Sequence, residues 1–278
     1  MGGNVRVYVL VDDYSPLGNL YSTHGASYLV EADNTRILFD TGPQADVLLH
    51  NMAELRLDPR DVDYIVLSHC HYDHTGGLLG LLKAASRRLP VIAHSALFRT
   101  SLALKPRLRY IGIPFSRSEL ESLAHLILTV DPVRITENVL TTGEIRDREE
   151  FEKRRLEFYT ITDGKLVRDE MRDDLGLLIE TRRGLVILAG CAHAGIVSTV
   201  KHAIRLTGRR VEAVIGGFHL RSVEPEWIER TVEELEAMGV EEVYTGHCTG
   251  LRAEARFMEV FGERFHKLYA GMVIELPS

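Results

Sequence analysis

The chain has 278 residues, is 45% hydrophobic and 26% charged, and carries a formal net charge of −7. That length supports one large core, or two half-domains sharing one. The acidic balance argues against a general nucleic-acid binder, whose phosphate contacts need a basic surface. No apolar run reaches membrane-spanning length. Three cysteines without a C-x-x-C spacing form no disulfide framework, so a reducing cytoplasm is the expected compartment.

Met1-Gly2-Gly3-Asn4-Val5-Arg6-Val7 runs straight into a strand and does not read as a signal peptide. Arg6 to Val11 is a first predicted strand. Asp12 to Gly25 is a turn-rich loop that brings His24 into reach of a pocket. Ala26 to Glu31 and Arg36 to Phe39 pair as strands across Ala32-Asp33-Asn34-Thr35. Ala45 to Leu55 has apolar residues at helical spacing. The apolar run Tyr64-Ile65-Val66-Leu67 then reads as a buried strand.

That strand delivers Ser68-His69-Cys70-His71-Tyr72-Asp73-His74-Thr75-Gly76-Gly77, and a helix follows from Leu78. In extended chain, residues two apart face one side. His69 and His71 can therefore hold one ion together. Asp73 and His74 follow once the chain has begun to turn, and can hold a second. Imidazole and carboxylate donors suit zinc, iron or manganese better than calcium or magnesium.

Val91 to Ala93 is a short strand ending at His94, which reads as a structural histidine. Ser95 to Arg117 carries Arg99, Lys105, Arg107, Arg109 and Arg117 and no acid. It reads either as a solvated connection or as a lid, with Arg107 and Arg109 presented to an anionic substrate. Residues 95–130 bound that lid. Leu140 to Asp174 mixes both charges and reads as outer strands.

In the second half, Leu185 to Ala189 ends in Gly190-Cys191-Ala192-His193-Ala194-Gly195. Val211 to Ile215 ends in Gly216-Gly217-Phe218-His219. Glu242 to Tyr244 ends in Thr245-Gly246-His247-Cys248-Thr249-Gly250. Sites in α/β folds lie at the carboxyl ends of strands, so four strands ending in histidine-bearing turns define a site. His50, His125, His202 and His266 read as helix or surface residues. No linker divides the chain, and residues 1–278 are read as one domain.

His69-Cys70-His71-Tyr72-Asp73-His74 resembles the H-x-H-x-D-H signature of the metallo-β-lactamase superfamily, and Phe39-Asp40-Thr41-Gly42 resembles a second feature of it. The resemblance implies an αββα sandwich of two mixed sheets flanked by helices, with a one- or two-metal site. His69, His71 and His193 would hold one divalent ion, and Asp73, His74 and His247 the other. Zinc is the first expectation, with manganese or iron also fitting. Two features depart from the pattern. Gly190-Cys191 stands where an aspartate is common, so a thiolate would replace the bridging carboxylate. Arg172-Asp173-Asp174 stands where a ligand histidine is common, which makes Asp173 or Asp174 a candidate ligand.

The ordered set Asp173-Asp174, Gly190 to Gly195, Gly216 to Leu220 and Gly246 to Gly250 is similar to the dihydropteroate-synthase-like branch of that superfamily. The implied activities are two. One is a metal-dependent hydrolase acting through metal-activated hydroxide, since a bound metal lowers the pKa of water to about 7. Asp73 would receive the proton and His219 would steady the oxyanion. The other is a transferase that joins a dihydropterin diphosphate to an arylamine. Thr249 joins Arg107 and Arg109 as a candidate substrate contact. The partner is a small, anionic molecule rather than a nucleic acid or membrane, and a homo-oligomer is compatible with the sequence. A non-catalytic metal- or ligand-binding protein is the contrasting class.

Overall fold

The computed structural model describes residues 5–153 and 158–276. The start at residues 1–4 and part of the outer-strand reading, at 154–157, lie outside them. In the first half, β1 (Val5–Val11), β2 (Ser27–Ala32) and β3 (Thr35–Phe39) precede α1 (Ala45–Glu54). Next come β4 (Tyr64–Val66), α2 (Tyr72–Thr75), α3 (Leu78–Ala85) and β5 (Leu89–His94). The short strands β6 (Leu102–Ala103) and β7 (Arg109–Tyr110) lead to α4 (Arg117–Leu123), β8 (Ala124–Thr129) and β9 (Val139–Thr141). The second half begins with the hairpin β10 (Phe158–Thr162) and β11 (Lys165–Arg168), then β12 (Gly176–Glu180) and β13 (Leu185–Ala189). It continues through α5 (Ile196–Thr207), β14 (Val211–Gly216), α6 (Pro225–Ala237), β15 (Glu242–Thr245), α7 (Leu251–Phe261), β16 (Phe265–Lys267) and β17 (Val273–Leu276).

Two mixed sheets result, ordered β17-β1-β2-β3-β4-β5-β8 and β16-β15-β14-β13-β12-β9. Strand periodicity explains the layering. Val5, Val7 and Val9, Tyr28 and Val30, and Ile37 and Phe39 point into a core shared with Val186, Leu188, Ala213 and Ile215 of the other sheet. The intervening Leu10, Leu29 and Leu38 face α1 and α3 instead. Leu185, Ile187 and Ala189 likewise face α5, α6 and α7. The central strands are thus apolar on both faces, as expected of sheets covered on both sides. This is the αββα arrangement expected from the sequence.

A third sheet, β11-β10-β6-β7, combines the basic connection with the later hairpin. Only residues 102–110 of the expected 95–130 lid belong to it, because α4 and β8 return to the first sheet, where β8 pairs in parallel with β5. Among the described residues no helix is long and apolar enough to cross a membrane.

Candidate metal centre

The turns after β1, β3, β4, β13, β14 and β15 open toward one place. Several make the change from strand to helix through a left-handed residue: Asp40 (φ 60°), Ala192 (φ 49°), His219 (φ 48°) and His247 (φ 44°). Such backbone conformations are uncommon outside glycine and cluster at functional sites. Close approach does the rest. A Cβ on Gly190 would lie 2.2 Å from Ser68 Oγ and 2.8 Å from Asp40 Oδ2, so only glycine lets β13 end beside that pair. A Cβ on Gly76 would lie 2.0 Å from the Pro43 carbonyl oxygen, which holds the motif loop against the Asp40 loop.

Three groups of donors share Cys191, one of them with His219 and Cys248. His69, Cys191 and His193 have ligand atoms within 4.8 Å of one another, and so do His74, Cys191 and His247. His74 Nε2 lies 3.1 Å from Cys191 Sγ and 3.3 Å from His247 Nε2. Ligands about 2.0 to 2.3 Å from one ion stand roughly this far apart. Asp73 Oδ2 joins the second group at 3.7 Å from His74 Nε2 and 3.6 Å from His247 Nε2. His24 Nε2 lies 3.5 Å from the same oxygen. The His71 ring packs on His69 and His193 at centroid distances of 4.6 and 5.0 Å. Its Nε2 contacts Ser101 Oγ at 3.2 Å.

These donors fit a metal because their other atoms are already committed. Ser68 Oγ donates to Asp40 Oδ2 (2.7 Å) and so accepts from His69 Nδ1 (2.8 Å). Asp40 Oδ2 also accepts from His74 Nδ1 at 2.7 Å. Asp13 Oδ1 accepts from His247 Nδ1 at 2.7 Å, and Asp13 Oδ2 lies 3.0 Å from His24 Nδ1. Each bond keeps a proton on Nδ1 and aims Nε2 inward, the arrangement that orients metal-binding histidines. Buried His69 Nε2 and both ring nitrogens of His193 have no hydrogen-bond partner among the described residues. Unpaired buried polar atoms are costly, and a cation would relieve that cost.

Electrostatics agree. Burial lowers His71 to about 3 and drives His69 and His193 well below the ordinary value, so all three are neutral donors at neutral pH. Burial also opposes charge on His247, but Cys248, Asp13 and Asp73 outweigh it and hold the ring up at about 9. Burial works to raise Asp13, yet hydrogen bonds from His24 and His247 keep it well below the usual carboxylate range. Cys248 Sγ lies 3.3 Å from Cys191 Sγ, and burial with this contact pushes the Cys191 thiol up.

Several sequence expectations change here. Asp174 does not point at the donor groups: its Oδ2 accepts from Ala194 N–H at 2.8 Å, which shapes the His193 turn. Asp173 accepts from Cys70 N–H at 2.8 Å and pairs with Arg99. Thr249 is fully buried, and its hydroxyl accepts from Phe218 N–H (3.0 Å) and contacts Thr245 Oγ1 (2.6 Å). It ties two turns together rather than facing a substrate. Arg109 lines the cavity over the site, whereas Arg107 is exposed outside its wall. His94 is buried, with Nδ1 accepting from Ala96 N–H at 3.0 Å.

That cavity has a volume of about 290 Å³, with His71, Asp73, Cys191, His193, His219 and His247 in its lining. Arg221, Phe158 and His24 also line it. Arg221 Nη2 donates to Asp13 Oδ2 at 3.0 Å and to the His247 carbonyl at 2.9 Å. Its sequence signal was its place two residues beyond His219. Asp12-Asp13 at the end of β1 carried a similar signal. Phe158, whose ring lies 4.9 Å from that of His71, carried none.

The sequence pattern of the metallo-β-lactamase superfamily matches residues 21–202, and the chain belongs to this superfamily. It is 41% identical, over 98% of its length and 97% of the relative's, to the 7,8-dihydropterin-6-methyl-4-(β-D-ribofuranosyl)-aminobenzene-5'-phosphate synthase of Methanocaldococcus jannaschii. A second protein of that organism is 33% identical over 91% of the chain and 94% of its own length. Among solved structures, a metal-dependent hydrolase of the β-lactamase superfamily superposes with a TM-score of 0.86 at 29% identity, covering 99% of this chain and 100% of that one.

Proposed function

We propose that the protein is a metal-dependent transferase that joins a dihydropterin diphosphate to an arylamine. The observation that carries this reading is the convergence of two donor groups on Cys191, beneath a cavity bordered by Arg109 and Arg221. Similarity to a named synthase over nearly the whole of both chains supports the choice of reaction. His69, His71 and His193 would hold one divalent ion, and Asp73, His74 and His247 the second. Cys191 would be shared between them, and zinc is the first expectation for this donor set. The ions, when bound, would supply Lewis acidity toward the oxygens of the leaving diphosphate.

The chain's own groups do the rest. Arg109 and Arg221 hold the diphosphate by charge and by paired N–H donors. The amine nitrogen attacks the methylene carbon that bears the diphosphate. The C–N bond forms, the C–O bond breaks and diphosphate leaves with the bonding pair. The amine proton passes to the Asp73 carboxylate, which neighbouring His74 and His247 keep ionised against the effect of burial. His219, on the cavity wall, donates to the departing anion. We read residues 1–278 as one domain, with the β6-β7-β10-β11 sheet as its lid.

A hydrolase is the second reading, favoured by the likeness to a metal-dependent hydrolase at a TM-score of 0.86. One assay separates the two: diphosphate release from a dihydropterin diphosphate by metal-loaded protein, with and without an arylamine. Release that requires the amine supports transfer. Release that ignores it supports hydrolysis. No release in either case would refute both for this substrate and favour a binding role.

A further inference from the structure

The turns after β13 and β15 each place a cysteine beside a proposed ligand, and the two sulfurs meet. Cys191 Sγ and Cys248 Sγ lie 3.3 Å apart. Two thiolates on one tetrahedral zinc ion would stand about 3.8 Å apart. The pair is therefore in closer contact than joint ligation of a single ion requires. The surrounding turns hold it there. A Cβ on Gly217, just past β14, would lie 2.7 Å from Cys248 Sγ, so the absence of a side chain gives that sulfur its room. The His219 N–H donates to Cys248 Sγ at 3.3 Å, which suits a sulfur that carries negative charge.

Both sulfurs border the cavity over the centre, with Cys191 3% and Cys248 5% exposed. A small reagent in that cavity meets them together. The third cysteine, Cys70, is fully buried and lies outside the lining. Cys191 is the sulfur common to the two histidine groups. Cys248 has no part in the reaction proposed above, which leaves this contact without a use.

We propose that Cys191 and Cys248 form a reversible oxidative cross-link, with hydrogen peroxide as the oxidant, and that closing it removes the thiolate shared by the two histidine groups. The Cys248 thiolate attacks one peroxide oxygen. The S–O bond forms, the O–O bond breaks and hydroxide leaves with the bonding pair. The sulfenic acid so formed faces a second sulfur, the arrangement in which such acids condense to a disulfide. The Cys191 thiolate attacks Cys248 Sγ, the S–S bond forms, the S–O bond breaks and a second hydroxide leaves. The two thiol protons convert both hydroxides to water. Two electrons pass from the sulfurs to the peroxide, and two thiols and one peroxide become one disulfide and two waters. The sulfurs close from 3.3 Å to about 2.0 Å. The thiolate is the form of cysteine that binds metal, so the cross-link strips a donor from both ions at once. Metal release rests on Cys191 as the shared ligand proposed above, whereas the cross-link itself does not.

The test treats zinc-loaded protein with hydrogen peroxide and maps its peptides without reduction, zinc being itself redox-inert. Cys191 and Cys248 appear as one cross-linked peptide pair, Cys70 stays a free thiol, and a phosphine reductant reverses the link. Zinc passes to a chromophoric chelator in step with the cross-link, about tenfold faster than from Cys248→Ala, where Cys191 has no partner sulfur. Cys248→Ser, closer in size, gives the same comparison if the alanine variant does not fold. Oxidation of either cysteine to sulfinic or sulfonic acid without a cross-link overturns the proposal. So do thiols left intact by the peroxide, a link through Cys70, or equal zinc release from wild type and the Cys248 variants. If the cross-link forms and zinc stays bound, the oxidation site stands and Cys191 as the shared ligand falls.

Discussion

Asp40→Asn tests the proposed centre through one atom. Asp40 Oδ2 accepts from both His74 Nδ1 and Ser68 Oγ, each at 2.7 Å, and Ser68 Oγ in turn accepts from His69 Nδ1. A single carboxylate thus orients a donor in each group. Asparagine keeps one acceptor for Ser68 N–H, now bonded to Asp40 Oδ1 at 2.7 Å. The amide NH₂ then faces two groups that were donating. His74 can satisfy it only by moving its proton to Nε2, the atom it needs for a metal. Loss of such outer partners costs about 10- to 100-fold in metal affinity, or ~1.4 to ~2.7 kcal/mol. Competition with a chromophoric chelator reads each metal equivalent, with circular dichroism confirming that the variant is folded at the assay temperature. Both equivalents should weaken. Asp13→Asn, which among the histidines contacts only His247 and His24, should weaken only one. Affinities within about twofold of wild type for folded Asp40→Asn would refute the assignment.

Cys191→Ala removes the atom common to both groups and should lower metal content from about two ions per chain to one or none; two tightly held ions by plasma mass spectrometry would contradict a shared thiolate. Arg99→Met leaves Asp173, fully buried, and Asp169, 5% exposed, without their cation. Breaking a buried pair this way costs about 3–5 kcal/mol, so the urea midpoint should fall sharply, and a loss below about 1 kcal/mol would count against it. Metal uptake should depend on pH through His247, held at about 9 in the metal-free chain and required neutral to bind. Affinity should climb with pH through about 9 and go on climbing above it, where the Cys191 thiol also loses its proton, and a flat profile between pH 6.5 and 8.5 would be inconsistent with His247 as a ligand. The sign for folding is the reverse. The raised pKa stabilises the metal-free fold fully below about 6.5, and this contribution fades as pH rises through about 9.

The residues read most directly from sequence are those whose geometry is local. His69 and His71 follow a strand at a spacing of two, and the chain turns before Asp73, so the motif defines its own shape. His193, His219 and His247 were legible for another reason: each follows an apolar strand, and strands of one sheet end together. Thr249 failed because its direction is not local. The left-handed turn at His247 sends the next residues back under Phe218, and the hydroxyl meets a backbone N–H there. The basic stretch from Ser95 to Arg117 also divided in a way that composition could not reveal. Arg99 is drawn inward by Asp173 and Asp169, Arg109 reaches the cavity, and Arg107 stays in solvent.

The partners behind the histidines were the least legible part, because they are distant in sequence and close only in the fold. Asp12 and Asp13 leave β1, Asp40 leaves β3, and they meet residues some 30 to 235 positions away. Their placement bears on the chemistry of the centre. Asp40 and Asp13 act on the far nitrogens, so the inward face is left to imidazoles, one carboxylate and the thiols of Cys191 and Cys248, of which Cys191 is common to both histidine groups. A shared sulfur is softer than a shared carboxylate and favours zinc or iron over manganese or magnesium. Cys191→Asp should therefore do more than weaken binding. In competition among zinc, iron and manganese it should shift the preference toward manganese, and an unchanged preference would mean that Cys191 lies beside the ions without holding them.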